Sequence, residues 1–419
     1  MQRFIKILAS AVLLAVVAWA GFRLGQVVPE FGVRLGLQEP SPTHREDVIR
    51  YLEDHYAIEG EDGSERFSEK NLDRMLQAMD PYSGYLSKEE FSDFEKETSQ
   101  RYVGIGVQIA RLERGVVITR VFPNSPAEEV GLRPGDEIVA VGGRSARDAG
   151  INRVVKRISG PAGTRVRIEV VRRSADERLT VFPTRRRITY SSVETAELLE
   201  DGVAYIKISE FGQRTGDEFR RALKRLKDEG MRSLVLDLRN NPGGLLTAAV
   251  AVAEPFFAKG ERIVEVKGFG IGEDEAYVSS TPQEEGDYPI VVLLNRGSAS
   301  ASEIVAGSLR STGRALIVGE KSYGKGTVQS IFALSNGEGL RMTTAHYYLP
   351  DGTPIEDGVG LEPDVPVLLS YRDTMRLQLQ DYHTGYLTPD EFEERFGFAP
   401  VEDRQLGAAI EILRDGAEG

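Results

Sequence analysis

The stretch PIVVLLNRGSASASEIVAGSLR (289–310) decides how the chain is read. PIVVLLN is an unbroken apolar run, as expected of a strand buried on both faces. SEIVAGSLR has the composition of a helix, so the join is a strand that turns into a helix. The same rhythm recurs around it. VAYIKIS (203–209) is a strand, TGDEFRRALKRLKDEG (215–230) a helix with a Thr215–Glu218 capping box and Gly230 as its stop, and RSLVLDLR (232–239) a buried strand. RALIVGE (314–320) continues the series. Strand–helix–strand at these lengths predicts right-handed parallel crossovers.

Three serines, Ser298, Ser300 and Ser302, sit at alternate positions in the join. Ser300-Ala301-Ser302-Glu303 fits a capping box, in which Ser300 only closes the helix end. The same geometry suits a nucleophile, because free N–H groups and the positive end of the helix dipole stabilise an oxyanion. A nucleophilic serine needs a base. The chain has no cysteine and four histidines, of which His346 alone lies in the α/β region, inside the alternating segment MTTAHYY (342–348). No GxSxG elbow is present, which disfavours a Ser-His-Asp triad without excluding His346.

The alternative base is a lysine in GEKSYGKGTVQ (319–329). Gly319 to Lys325 matches the start of a phosphate-binding loop, but Gly326 stands where Ser or Thr should hold magnesium, and TVQSIFAL alternates like a strand. Lys325 is read either as a solvated loop lysine or as a base made neutral by burial. Gln329, four residues on, is expected on the same side of a strand, where it could orient the amine. LDLRNNPGGLL (236–246) ends a strand in a turn, and Gly243-Gly244 leave bare backbone amides suited either to an oxyanion or to an ordinary turn.

The remaining chain frames this core. Residues 45–100 look helical, in EDVIRYLEDHY and EKNLDRMLQAM, until Asp80-Pro81 breaks the pattern. From Val103 short Val- and Ile-rich runs alternate with turns, interrupted by a helix at Ser125-Pro126 and another over roughly Arg147–Ile158. The tail beyond Tyr371 ends in the amphipathic RQLGAAIEILR (404–414). With 419 residues and 41% hydrophobic content, two or three folded domains are expected. A net charge of −13 argues against nucleic acid as a partner.

At the N-terminus, Arg3 and Lys6 precede an apolar stretch from Ile7 to Ala20, and Ala18-Trp19-Ala20 fits a cleavage pattern. The residues between Lys6 and Arg23 would span about 24 Å as a helix, short of a ~30 Å hydrocarbon layer. A cleaved secretory signal is expected, with an uncleaved membrane anchor as the alternative; either places the chain outside the cytoplasm.

These motifs together closely resemble the C-terminal processing peptidases, or tail-specific proteases, of the S41 family. The resemblance is carried by MDPYSGYL (79–86), YVGIGVQI (102–109), SPAEEVGLRPGDEI (125–138), LDLRNNPGG, NRGSASASEI, GEKSYGKGTVQ and AHYYLPDG (345–352), in that order. It implies a secreted, extracytoplasmic and most often periplasmic serine endopeptidase. Ser300 would be the nucleophile, Lys325 the general base and Gln329 its orienting partner. Backbone N–H groups of Gly243 and Ala301 would bind the oxyanion.

The implied fold is multidomain α/β. It has a signal peptide or anchor (1–27), a linker and helical N-terminal segment (28–100) and a β-rich PDZ domain (101–187). An α/β protease core with parallel crossovers (188–370) and a helical C-terminal segment (371–419) follow. The PDZ domain would either deliver the tail or gate the active site, and within it Gly104, Ile105, Gly106 and Val107 would form the loop that binds a C-terminal carboxylate. The resemblance implies protein substrates with free, apolar C-terminal tails and no cofactor or metal. It leaves room for an adaptor protein, a membrane attachment through the N-terminal segment and a homo-oligomer. The rival reading is a non-catalytic PDZ scaffold that binds protein C-termini, against which the complete Ser300, Lys325 and Gln329 set argues.

Overall fold

The computed structural model describes Leu76 and residues 80–415, except 113–114, 148, 173–176, 269–273, 284, 287, 335 and 384–387. The expected signal segment and most of the expected helical segment before Asp80 lie outside the described residues. The chain divides into two compact units. One joins Arg101–Tyr190 to Leu369–Arg404; the other joins the segment up to Gln100 to Ser191–Leu368 and Gln405–Gly419. The tail beyond Leu368 is therefore shared between the units.

The first unit is built on an antiparallel sheet in the order Val107–Leu112, Gly115–Val121, Glu137–Val141, Ile168–Arg172, Glu177–Val181. A separate two-stranded ribbon pairs Arg101–Gly104 with Arg186–Thr189. Val116, Ile118, Ile138, Val154, Ile168 and Val170 form its core. Each such side chain contributes roughly 1.5–3 kcal/mol through burial. Ser125 accepts the Glu128 N–H at 3.2 Å, and Pro126 opens the helix Pro126–Glu129, whose first-turn N–H groups it leaves one fewer to satisfy. The second helix runs from Ile151 to Ile158. The helices Tyr371–His383 and Pro389–Phe396 also belong to this unit.

The second unit holds a six-stranded sheet in the order Val193–Leu198, Val203–Ile208, Ser233–Asp237, Ile290–Leu294, Leu316–Gly319, Val365–Pro366. The first pair is antiparallel and the rest are parallel. Ser233–Asp237 and Ile290–Leu294 are buried at every position, which explains their lack of alternation. Their side chains divide by parity. Leu234, Leu236, Ile290, Val292 and Leu294 pack in one cluster with the helices Thr215–Asp228, Leu246–Ala253 and Ala301–Ser311. Val235, Val291 and Leu293 pack in another with Ala409 and Leu413 of the helix Arg404–Asp415.

A second, five-stranded sheet contains Gly84–Leu86, Gly339–Tyr348, Arg262–Gly268 and Glu275–Val278, with Thr327–Ala333 also paired to Gly339–Tyr348. The expected capping box at Thr215 is not made. The helix starts at Thr215 itself, whose hydroxyl accepts from Gly212 N–H at 2.8 Å. Glu218 instead accepts from Ser192 N–H and Ser191 Oγ, both at 2.9 Å, and so ties the helix to the segment just before the strand Val193–Leu198. Among the described residues no helix is long and apolar enough to cross a membrane.

The C-terminal helix supplies core, so placing a charge on its inner face is costly. Ala409→Asp puts an unpaired carboxylate into the cluster and is expected to destabilise the fold by several kcal/mol. Glu411→Gln, on the exposed face, is expected to stay within about 0.5 kcal/mol. Thermal unfolding of the two variants beside wild type checks the contrast.

Candidate active site

Three loops leave the carboxyl ends of neighbouring parallel strands, after Asp237, Leu294 and Gly319. Ligand sites in open parallel sheets form at such edges. The first two loops are stitched together by side chains acting on backbone. Ser298 Oγ donates to Leu238 O at 2.8 Å and accepts from Asn295 N–H at 3.0 Å. Ser302 Oγ donates to Asn241 O at 2.8 Å, and Ala299 N–H donates to the same oxygen at 3.1 Å. Asn240 N–H donates to Asn295 Oδ1 at 2.8 Å.

The strand end is anchored by Asp237, which is wholly buried. Arg239 donates to its carboxylate through Nη2 at 2.6 Å and Nε at 3.0 Å, and Tyr205 donates its hydroxyl at 2.7 Å. Burial alone would raise the Asp237 pKa, but the Arg239 guanidinium outweighs it and holds the group ionised.

Against this scaffold the three serines separate. All are fully buried, and Ser298 and Ser302 are consumed by the bonds above, whereas Ser300 Oγ has no hydrogen-bond partner. Ser300 also adopts φ +54°, ψ −115°, a conformation rare for a residue with a Cβ. Such strain, of order 1–3 kcal/mol, persists only where the surroundings enforce it. The sequence spacing of a capping box is present, and its carboxylate side is made: Ser300 N–H donates to Glu303 Oε2 at 2.8 Å.

Gly243 lies directly against Ser300. A Cβ there would stand 2.8 Å from Ala299 O, 2.9 Å from Ser300 Cβ and 3.0 Å from Ala301 N, and φ is +101°. Both facts demand glycine. The Gly243 N–H donates to Asn241 Oδ1 at 2.9 Å, and Ala301 is the first residue of the helix. Gly244, at φ +146°, is pressed instead against Phe211, whose carbonyl oxygen a Cβ would approach to 2.2 Å.

Lys325 is brought to the same place by Glu303. The Glu303 carboxylate, wholly buried, accepts four hydrogen bonds. Ser300 N–H and Lys325 N–H (2.9 Å) reach Oε2; Ser322 Oγ (2.5 Å) and Gly324 N–H (2.8 Å) reach Oε1. Burial, opposed by these donors, leaves the Glu303 pKa raised. The Lys325 side chain is also buried, with Nζ 4.8 Å from the centre of the Tyr82 ring. Desolvation, with the Arg341 charge adding to it, pushes its amine down to about 7 against the pull of Asp357, Asp80 and Glu303.

Residues 202–367 match peptidase family S41, and residues 117–172 match a PDZ domain. A carboxy-terminal-processing protease of Bartonella bacilliformis is 31% identical over 383 residues, covering 88% of this chain and 87% of that protein. This chain belongs to peptidase family S41, among the carboxy-terminal-processing proteases. A Staphylococcus aureus protein named "Probable CtpA-like serine protease" is 36% identical over 326 residues, covering 77% of this chain and 64% of that longer protein. An S41 protease structure from Bacteroides fragilis superposes with a TM-score of 0.53 over 86% of this chain and 98% of that one; at 18% identity it shows a shared fold.

In this S41 peptidase the other expected site residues are placed as follows. Gln329 is buried; its amide nitrogen donates to Thr327 Oγ1 at 2.9 Å, while its Oε1 has no partner. The period-two argument linking it to Lys325 does not hold. The strand begins at Thr327, and a register shift falls between Val328 and Gln329. His346 lies half-buried on a strand opposite Thr327.

In the other unit, Gly104 ends a strand, Ile105 is buried, and Val107 opens the next strand. Gly106, at φ +83°, leaves no room for a Cβ, which would overlap Ser125 Cβ at 2.2 Å. Among the described residues no group of three or more acidic, histidine or cysteine side chains forms a metal cage.

Sequence reasoning treated Glu303 only as a helix cap and missed its hold on the lysine loop. The S-x-x-E spacing was the signal; its second set of partners comes from a segment about twenty residues on. Glu303→Gln keeps the shape but turns an acceptor-only group into one that also donates towards N–H groups. Peptidase activity is expected to fall by about 10²-fold, the scale of a misplaced catalytic group. A kcat/KM measurement with a protein substrate, beside a thermal unfolding curve, checks this.

Proposed function

We propose that this S41 peptidase is an extracytoplasmic endopeptidase that cuts proteins near apolar C-terminal tails, with Ser300 as nucleophile and Lys325 as general base. One observation carries the reading. Of three serines at the strand–helix join, only Ser300 keeps an unbonded hydroxyl, and the lysine tied to it through Glu303 is buried.

The chemistry follows from these positions. A lysine at its ordinary pKa is neutral in about one molecule in 2,500 at pH 7. At a pKa of about 7 half the molecules carry a free amine. That amine takes the Ser300 proton as Oγ attacks the scissile carbonyl carbon. The oxyanion is met by the N–H of Ala301 and, once Asn241 releases it, of Gly243. The Lys325 ammonium then protonates the departing amine, leaving an acyl-enzyme. Water attacks the ester with Lys325 again taking a proton, and the ammonium returns it to Ser300. The unbonded Gln329 Oε1 is an acceptor suited to orienting the lysine.

The domain assignment supports tail recognition. Residues 101–187 act as the PDZ domain and 188–370 as the protease core, with 371–419 as a helical tail. The loop Gly104–Val107 takes the substrate's terminal carboxylate, and the adjoining sheet edge takes its last residues in extended form. The basic start and apolar run at the N-terminus direct the enzyme out of the cytoplasm, as a soluble periplasmic protein after cleavage or as a tethered one.

The test is cleavage of an unfolded reporter with an apolar C-terminal tail, against the same reporter with a charged tail. Wild type is expected to cut the first preferentially. Ser300→Ala and Lys325→Ala should each lose about 10³-fold or more. Ser298→Ala and Ser302→Ala should retain a nucleophile. Because the neutral amine is the active form, kcat/KM should rise with pH to a midpoint near 7 and then level off. A Ser300→Ala enzyme as active as wild type would end the assignment.

A further inference from the structure

The base is covered by a residue from far outside the strand–helix core. Asp80 and Pro81 form a turn in which Asp80 Oδ1 accepts from Tyr82 N–H at 2.6 Å and Ser83 N–H at 2.8 Å. Ser83 Oγ donates to Asp80 Oδ2 at 2.5 Å. The following strand Gly84–Leu86 pairs antiparallel with Arg341, Leu340 and Gly339, and Arg341 Nε donates to Tyr82 O at 2.6 Å. Ser83 Oγ also accepts from Thr343 N–H at 3.1 Å. Tyr82 is thus held on both sides by backbone bonds, and its ring centre lies 4.8 Å from Lys325 Nζ.

We propose that Tyr82 is a positioning residue for the general base, whose ring face stabilises the ammonium that Lys325 becomes on accepting the Ser300 proton. The inference rests on the Ser300–Lys325 reading. A ring face attracts a cation and is indifferent to a neutral amine, and the attraction is strongest where water is excluded. The other charged groups around the amine are fixed in place. Asp357 accepts from Gly326 N–H at 2.8 Å, Glu303 holds the Lys325 N–H, and Asp80 and Arg341 hold Tyr82. The Tyr82 phenol itself is kept neutral, since burial and the neighbouring Tyr323 raise its pKa. The ring therefore acts as a constant face across the working pH range.

This role has a kinetic signature that packing alone does not produce. On the acid limb the resting lysine is already an ammonium, so resting and transition states share the ring's attraction and its removal cancels. On the plateau the resting lysine is neutral, and only the transition state loses the ring. Tyr82→Leu keeps the site apolar but removes the face. Its kcat/KM on the acid limb should match wild type, its plateau should fall about tenfold or more, and its midpoint should move about one pH unit lower. Tyr82→Phe keeps the face and should follow the wild-type profile.

The experiment is the pH profile of kcat/KM for wild type, Tyr82→Leu and Tyr82→Phe on the tailed reporter, with thermal unfolding as a check on folding. A Leu variant that loses rate equally at all pH values with an unmoved midpoint, or that matches wild type throughout, overturns the role of Tyr82 alone. A Phe variant that behaves like the Leu variant overturns it too. An active Ser300→Ala enzyme overturns the underlying dyad, and this inference with it.

Discussion

The structure of the site depends on one buried carboxylate. Glu303 sits where no water reaches it and collects four donors, two on each oxygen. Ser300 N and Lys325 N share a single oxygen, so they lie within about 6 Å of each other, two hydrogen-bond lengths. Two segments from different loops thereby gain one geometry. An ionised carboxylate offers only acceptors; three of its partners are backbone N–H donors, and the Ser322 hydroxyl, which accepts from Leu361 N–H at 2.6 Å, turns its proton to Glu303, so the match is complete without a proton on Glu303. A buried charge with fewer partners would cost several kcal/mol. The same four bonds help hold Ser300 in its disfavoured backbone conformation.

The lysine presents the opposite requirement. Its backbone is held by polar bonds, yet its side chain lies in a place that disfavours charge. Glycines flank it for spatial reasons. Gly324 is hemmed in by the backbone of Gly360 and Val359, and a Cβ on Gly326 would overlap Ile355 O at 1.4 Å. The loop is thus packed closely against its neighbours on both sides of the buried Lys325. Asp80, Asp357 and Glu303 stop desolvation from going too far, since an amine of much lower pKa would be a weak base. The amine's pKa of about 7 is the balance of burial and Arg341 against these three carboxylates.

What the sequence made legible follows from how local each signal is. Buried parallel strands announce themselves as unbroken apolar runs, and Ser233–Asp237 and Ile290–Leu294 are such runs. Ser125-Pro126 marks a helix start because cap and first-turn chemistry lie within four residues. Thr215 and Glu218 have the same spacing, but Glu218 is drawn to Ser191 and Ser192, partners that no local pattern names. The choice of Ser300 as nucleophile came from family resemblance, because the local pattern offers it equally as a plain helix cap. Ser298 and Ser302 have their hydroxyls taken up by carbonyls of Leu238 and Asn241, about sixty residues earlier, and Ser300 does not. Tyr82 was quoted as part of a motif without a role, since its partner Lys325 is distant in the chain. The tail's division between two units was likewise invisible to periodicity.

An oxyanion donor poses a general conflict that this site meets with a side chain. An N–H reserved for a transition state is, at rest, a buried donor without an acceptor, costing about 1–3 kcal/mol. Asn241 removes that cost: its Oδ1 takes the Gly243 N–H, while its Nδ2 donates to Ile208 O at 2.9 Å. On the proposed mechanism a substrate carbonyl must displace this acceptor. A neutral carbonyl gains little from the exchange, because one amide oxygen replaces another. An oxyanion gains more, since a charged acceptor forms a bond roughly twice as strong. The exchange therefore favours the transition state over the bound substrate, which is the condition for binding energy to raise the rate. On that mechanism Asn241 stabilises the resting fold and at the same time keeps the donor for the species that most needs it.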